Sequence, residues 1–270
     1  MGKLVSAMPD LGFLDALAGR DTALHRLDPR AKLLTTLIFM VTVVSFDRYQ
    51  FSALFPFFLF PAVLMAVGRL PAGHLMRKVL LLVPFILIMG LFNLFYDRSV
   101  VGQIGSFTVT GGGLSFLSLV VRFFLTVLAA FVLVALTGFN DVCLAMEKLG
   151  MPRVFAVQLL FLYRYLFVLA EEGGRMARAR SLRSFEGKGL GMGVYASLLG
   201  HLLLRTFERA QRIYQAMLSR GFRGEFPPRR PLQPRFGDII FVIAWSAVFL
   251  LFRTVNVAIL LGGIVTGGGR

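Results

Sequence analysis

The chain has 270 residues, of which 57% are hydrophobic and 16% charged; it contains 28 phenylalanines and has a mean hydropathy of +0.75. Soluble domains run about 45–50% apolar and about 25% charged, so this composition excludes a soluble globular fold and indicates a polytopic membrane protein. The formal net charge of +15 raises nucleic acid as a partner, but the bases concentrate between the apolar stretches, where they set membrane orientation instead.

The first 30 residues balance four acids against four bases and hold no long apolar core. No cleavable signal peptide is read there, so insertion begins with the first span. Met1-Gly2 with Ser6 fits a myristoylation pattern too short and common to carry weight. A bilayer-crossing helix needs about 20 apolar residues. The first predicted span covers residues 31–46, with Asp28 suited to the N-cap and Pro29 to the first helical position. Asp47-Arg48-Tyr49-Gln50 reads as a tight turn into a second span, residues 51–67. Pro56 and Pro61 are tolerable in it where neighbouring helices satisfy the freed carbonyls. A basic loop with Arg69, Arg77 and Lys78 precedes the third span, residues 79–95. A loop containing Gly111-Gly112-Gly113 leads to the fourth, residues 114–137.

Between residues 138 and 236 the character changes, with 16 Lys and Arg against 7 Asp and Glu. Three helices are predicted: a short one capped by Asn140 or Asp141 and ending at Gly150, a long one opened by Pro152 and running to residue 185, and a third over residues 194–221. Neither long helix is a clean span. Residues 154–169 are apolar but carry Gln158 and Arg164, and then come Glu171, Glu172, Arg175, Arg178, Arg180 and Arg183. The third places Leu198, Leu202, Ala210, Ile213 and Met217 on one stripe, opposite Arg205, Glu208, Arg209 and Arg212. A proline-rich strip, Pro227-Pro228 to Pro234, ends the segment, and a fifth span covers residues 237–252. The organisation is thus residues 1–137 (N-terminal segment and four spans), 138–236 (amphipathic cytoplasmic helices) and 237–270 (the last span). The positive-inside rule places the N-terminus in the cytoplasm and the C-terminus outside. A hairpin within residues 253–270 would restore an even span count.

Ionisable groups inside spans usually mark a transport path, and within the spans Arg122 stands essentially alone. It either snorkels or pairs inside the bundle, or it contacts substrate. His25, His74 and His201 lie in three separate regions without metal-ligand spacing. The single cysteine, Cys143, excludes an internal disulfide and a Cys-based cluster, and reads as a small apolar residue. Gly187-Lys188-Gly189-Leu190-Gly191-Met192-Gly193 matches neither phosphate-loop pattern and follows a helix rather than a strand, so it reads as a hinge. No nucleophile–base set is present. No catalytic residue, metal ligand or cofactor is therefore assigned.

Two arginine signatures remain: Ala179-Arg180-Ser181 and Ser219-Arg220-Gly221, each closing an Arg-rich amphipathic stretch. Arginine presents a planar fork of donors suited to carboxylates. Phospholipid headgroups are an alternative partner for such a run, each base gaining roughly 1 kcal/mol near an anionic surface. The small neighbours of each arginine favour close approach to a protein groove.

The stretch Gln215-Ala216-Met217-Leu218-Ser219-Arg220-Gly221-Phe222-Arg223-Gly224-Glu225 resembles the T components of energy-coupling factor (ECF) transporters, and within them the cobalt-type CbiQ branch. Leu27-Asp28-Pro29-Arg30-Ala31-Lys32-Leu33-Leu34 is similar to that family's start of the first span, and Arg122 to an arginine of its fourth. Leu149-Gly150-Met151-Pro152 is similar to its break before the long coupling helix, and Phe161-Leu162-Tyr163-Arg164-Tyr165 to an aromatic-basic patch within it. Residues 205–217 are similar to CbiQ proteins, although nickel-type and vitamin-type relatives share much of that stretch. Ser181 stands where many relatives carry Gly.

The resemblance implies an all-α membrane protein with about five transmembrane helices and a cytoplasmic set of coupling helices. It implies a non-catalytic subunit of a bacterial inner-membrane importer, serving cobalt transport and through it cobalamin biosynthesis, with nickel or a vitamin such as biotin as alternative cargo. Implied partners are two ABC-type ATPase subunits (CbiO-like), a substrate-binding membrane subunit (CbiM-like), an optional small accessory membrane subunit and the lipid bilayer. Ala179, Arg180, Ser181, Ser219, Arg220 and Gly221 would enter the ATPases, with Arg122, Arg164, Arg183 and Arg223 as structural or interface residues. A self-contained channel or carrier would instead need polar groups aligned in several spans, and a membrane enzyme a convergent catalytic set.

Overall fold

The computed structural model describes residues 15, 17–47, 52–96, 100–104, 107–183, 192–224 and 235–254. Readings that fall on the first 14 residues, on residues 48–51, on most of the glycine-rich hinge, on the proline-rich strip and on residues 255–270 lie outside this set. In chain order the elements are α1 (Pro29–Val44), a 3₁₀ helix (Ser52–Phe58), α2 (Leu59–Val67), α3 (Ala72–Tyr96), β1 (Val100–Ile104), β2 (Phe107–Thr110), α4 (Gly111–Thr137), α5 (Phe139–Lys148), α6 (Arg153–Arg183), α7 (Met192–Ser219) and α8 (Phe236–Thr254). They form two compact units: Leu17–Gly138 with Leu232–Arg270, and Met1–Ala16 with Phe139–Pro231.

The first unit is a helical bundle. Asp28 caps α1, its side chain accepting from the Arg30 N–H at 2.8 Å, and Pro29 takes the first turn, where its missing donor costs nothing. The proline-bearing second span starts as the 3₁₀ helix around Pro56 before continuing as α2, because a proline interrupts the α-helical hydrogen-bond ladder. Between α3 and α4 the chain forms an antiparallel hairpin with Ile104 opposite Phe107 and Gln103 opposite Thr108. The run Gly111-Gly112-Gly113, expected as loop, opens α4 instead. The β-branched run around it supplies the hairpin, and the glycines follow it directly into the helix.

Contacts within this unit give each helix a direction. A side chain at Gly90, near the end of α3, would meet the ring of Phe116, near the start of α4, at 2.5 Å, so only glycine allows this antiparallel approach. Gly68, just after α2, packs on Leu136 near the end of α4. The Lys32 ammonium at the start of α1 donates to the Leu136 carbonyl at 3.2 Å. One end of the bundle therefore holds the start of α1, the end of α2 and the end of α4. Asp238 adds the start of α8 to that end by accepting from the Asp28 N–H at 2.8 Å.

Phe39, Phe57, Phe60 and Phe249 are fully buried, with Phe39 stacked on Phe60 at 4.7 Å and Phe249 edge-on to Phe60 at 5.2 Å. The hydroxyls of Thr35, Thr36 and Thr42 donate to carbonyls one turn back at 2.7–2.8 Å, which satisfies them inside an apolar helix. Val41, Leu80, Leu81, Ile88, Ile243 and Leu250 are exposed, which suits contact with lipid rather than water.

Among the described residues three helices are long and apolar enough to cross a membrane: Gly112–Thr137, Arg153–Arg183 and Phe236–Thr254. α1, at 16 residues, is shorter than that, while the backbone of α3 runs for 25 residues. The presence of Arg153–Arg183 differs from the reading of that helix as no clean span. Its apolar first half is long enough to outweigh Gln158 and Arg164.

The second unit contains α5, α6 and α7. α5 begins at Phe139, a residue before the expected Asn140 or Asp141 cap, leaving Asp141 in the first turn to face the positive helix end. It ends in a Schellman closure: the Gly150 N–H donates to Glu147 O and the Met151 N–H to Met146 O, with Gly150 at φ +115°. Pro152 then precedes α6. Asp15 ties the unit together by accepting from the Phe139 N–H at 3.3 Å and from the Tyr163 hydroxyl at 2.8 Å, and Tyr163 stacks on Phe139 at 4.4 Å. Cys143 is buried and free, and burial pushes its thiol pKa up to about 11.

Candidate coupling surface on two crossed basic helices

α6 and α7 touch where glycine removes the side chain. Gly173 and Gly174 are buried, and the position a Cβ would take on Gly173 lies 3.7 Å from Leu202 of α7. Beside this contact Glu172 of α6 accepts from Arg175 at 2.8 Å and, across the helices, from Arg205 at 3.0 Å. On either side the helices part into open clefts of about 620 and about 690 Å³. The pair therefore crosses rather than running side by side.

The larger cleft is lined by Ala179, Arg180 and Arg183 of α6 and by Gly193, Ser197 and His201 of α7. Arg180 and Arg183 are exposed, and no carboxylate lies within ion-pair distance of either among the described residues. The Ser181 hydroxyl donates to Arg178 O at 2.8 Å and so is occupied locally. The first signature sits inside the last turn and a half of α6, which continues to Arg183, rather than closing the helix as expected. Ser181 has the helix propensity to let the turn run on, where glycine would weaken it.

The second signature does close its helix. The Gly221 N–H donates to Leu218 O at 2.9 Å and the Phe222 N–H to Met217 O at 3.0 Å, with Gly221 at φ +76°. This Schellman closure needs a residue free to enter the left-handed region, so the glycine is set by backbone geometry. It leaves Arg220 at the C-cap, exposed and without an ion pair among the described residues, and Arg223 exposed just beyond. The Ser219 hydroxyl donates back to Gln215 O at 3.0 Å.

The structure does not gather these arginines in one place. Arg180 faces the first turns of α7, while Arg220 lies beyond His201 by about 28 Å of helix at 1.5 Å per residue. Arg164 is exposed midway along α6. Arg122 belongs to the bundle, where its guanidinium donates to the carbonyl of Val44, the last residue of α1, and to that of Asp47 just beyond it. A cation there satisfies carbonyls that a helix end leaves unpaired. Both of these partners are backbone carbonyls of the bundle itself.

Sequence reasoning did not single out Glu172, Gly173, Gly174 and Arg205 as the crossing point. Two adjacent glycines inside a long helix are the signal that was available, since each costs about 1 kcal/mol relative to alanine and needs a packing reason. Among the described residues no group of three His, Cys, Asp or Glu could hold a metal ion. His25 is held locally: Nδ1 accepts from the Thr22 hydroxyl at 2.6 Å and Nε2–H donates to Leu17 O at 3.2 Å.

An apolar helical bundle continuous in sequence with two long, crossed, arginine-rich helices defines an all-α membrane protein of the T-component fold. The chain belongs to the CbiQ family, described as cobalt transport protein, which matches residues 20–232. It is similar to the energy-coupling factor transporter transmembrane protein EcfT of Heliobacterium modesticaldum, 29% identical over 250 residues covering 86% of this chain and 92% of that one. EcfT of Bacillus subtilis is 29% identical over 217 residues, covering 74% and 80%. EcfT of Ruminiclostridium cellulolyticum is 24% identical over 245 residues, covering 85% and 91%.

Proposed function

We propose that this chain is the non-catalytic transmembrane component of an ECF-type importer, passing the ATP-driven movement of two ATPase subunits to a substrate-binding membrane subunit. The observation that carries the proposal is a pair of exposed arginines without ion pairs among the described residues, Arg180 and Arg220, on two helices locked together at a glycine crossing. Each guanidinium offers a carboxylate-binding fork, and the Glu172–Arg205 bridge makes displacement of one helix felt by the other. Cobalt is the proposed cargo, supported by the family's description, with nickel or biotin as alternatives. The bundle end that gathers Asp28, Gly68, Leu136 and Asp238 is adjacent in sequence to Arg69, Arg77 and Lys78, so by the positive-inside rule it faces the cytoplasm of a bacterial inner membrane.

Purification of the chain alone and with its partners tests this. The isolated protein should hydrolyse no ATP and bind neither Co²⁺ nor Ni²⁺ tightly. Co-expressed with two CbiO-like ATPases and a CbiM-like subunit, it should yield a complex that hydrolyses ATP and takes up Co²⁺. Appreciable ATPase activity or tight metal binding by the isolated chain would contradict the reading.

A further inference from the structure

The chain enters α8 from the arginine-rich segment, and the first described residue on that path is Arg235. Three residues on, Asp238 is only 4% exposed, a carboxylate buried at the end of an apolar bundle. Burying such a group costs several kcal/mol unless its oxygens are hydrogen-bonded, and each oxygen here has a separate donor. Oδ2 accepts from the Arg235 N–H at 2.7 Å, while the Asp238 N–H donates to Arg235 O at 2.9 Å. The Oδ2 bond is the side-chain half of a capping box, the third residue of α8 reaching back to the N–H just before the helix, and it needs one oxygen only. Oδ1 accepts from the Asp28 N–H at 2.8 Å, a residue 210 positions away in sequence. Asp28 is itself buried and uses its own Oδ1 to cap α1.

We propose that Asp238 is a positioning residue for coupling: the joint that hands displacement of the incoming segment at Arg235 to the start of α1. The inference rests on the coupling function proposed above. Elsewhere α1 and α8 meet through rings, such as Phe39 and Phe249 at 5.4 Å, and apolar faces can slide where a directional hydrogen bond cannot. The joint also holds the parts of a second arrangement. Asp28 Oδ2, an acceptor, and Arg30 Nε, a donor, are both buried without hydrogen bonds, and Arg30 Nε stands 3.9 Å from the other Asp28 oxygen. A small rotation at the start of α1 would pair them, which gives the element two discrete states for a moving segment to bias.

The test uses the whole complex in proteoliposomes, measuring assembly, ATP hydrolysis and Co²⁺ uptake for wild type, Asp238→Asn and Asp238→Ala. Asparagine has one carbonyl acceptor, so it keeps one of the two bonds; alanine keeps neither. Both variants should assemble and hydrolyse ATP, with uptake per ATP falling about tenfold or more, the scale of losing one hydrogen bond to a charged group. An unchanged uptake-to-hydrolysis ratio in Asp238→Asn would overturn the proposal. So would a loss of uptake that merely follows loss of assembly, since that is a structural role. Failure of the coupling reading itself shows separately, as wild-type hydrolysis that does not drive uptake.

Discussion

Single residues in this protein are fixed by backbone geometry as often as by their side chains. Gly221 is the clearest case: its φ of +76° is one that residues with a Cβ adopt only under strain, and a Cβ built there would meet no atom within 4 Å. The cost of Gly221→Ala is therefore almost purely conformational, about 1 kcal/mol. It should show as faster amide hydrogen exchange confined to the last turn of α7. Protection unchanged there would mean that the closure is not what ends the helix. Cys143 makes the opposite point. Burial raises its thiol pKa to about 11, so at neutral pH almost no thiolate exists to react. Maleimide labelling of the native protein should be negligible and become complete on denaturation; rapid native labelling would contradict its burial. That Cys143 is a small apolar residue was legible from its context, because a lone cysteine has few other uses. That Arg122 holds the end of α1 was not, because its partners are backbone carbonyls, which leave no mark in a sequence.

At the scale of elements, the sequence showed where helices begin and end better than how they meet. Asp28-Pro29 and Gly150-Met151-Pro152 punctuate the chain by local chemistry and were found where they were read. The 3₁₀ start of the second span and the β hairpin before α4 were not anticipated. The first follows from Pro56 acting inside a helix, and the second from a short β-branched run that competes with the loop its glycines suggested. The crossing of α6 and α7 was missed because it depends on tertiary contact between Gly173 and Leu202. Reversing one charge of the crossing bridge, as in Glu172→Arg, places three guanidiniums together and should loosen the pair. Reversing both, Glu172→Arg with Arg205→Glu, should recover part of the loss. Coupled uptake is the readout, and a double variant no better than the single one would show that the bridge does not join the helices.

At the scale of the whole molecule, the bundle has a parity that can be counted. α1 and α8 start at one end, and α2 and α4 finish there. Among the described residues of the bundle, α1, the 3₁₀ helix with α2, α3, α4 and α8 make five passes, and the starts of α1 and α8 share the end at which α4 finishes. A reporter fused at Lys188 should then read cytoplasmic and one fused after Arg270 should read outside. A cytoplasmic signal at both sites would mean that the chain turns back after α8. The fold class was legible from composition alone, since 28 phenylalanines and so few charges leave a membrane bundle as the solution. The two arginine signatures were legible as residues, but the distance between Arg180 on α6 and Arg220 past the end of α7 was not, because it follows from where the two helices cross.

The central claim is that Arg180 and Arg220 are docking residues and not merely part of a basic surface. Co-purification of the ATPase subunits, with Co²⁺ uptake measured on the same preparations, tests it across Arg180→Ala, Arg220→Ala and, as a control outside both signatures, Arg229→Ala. Removing one member of a buried charge pair costs about 2–5 kcal/mol, whereas an exposed charge contributes at most about 1 kcal/mol. Arg180→Ala and Arg220→Ala should each weaken assembly or uncouple hydrolysis from uptake, charge reversal to Glu should do worse, and Arg229→Ala should match wild type. A graded loss that follows total charge at any position would indicate lipid anchoring. If Arg180→Ala and Arg220→Ala both assemble and transport as wild type, the docking role is contradicted.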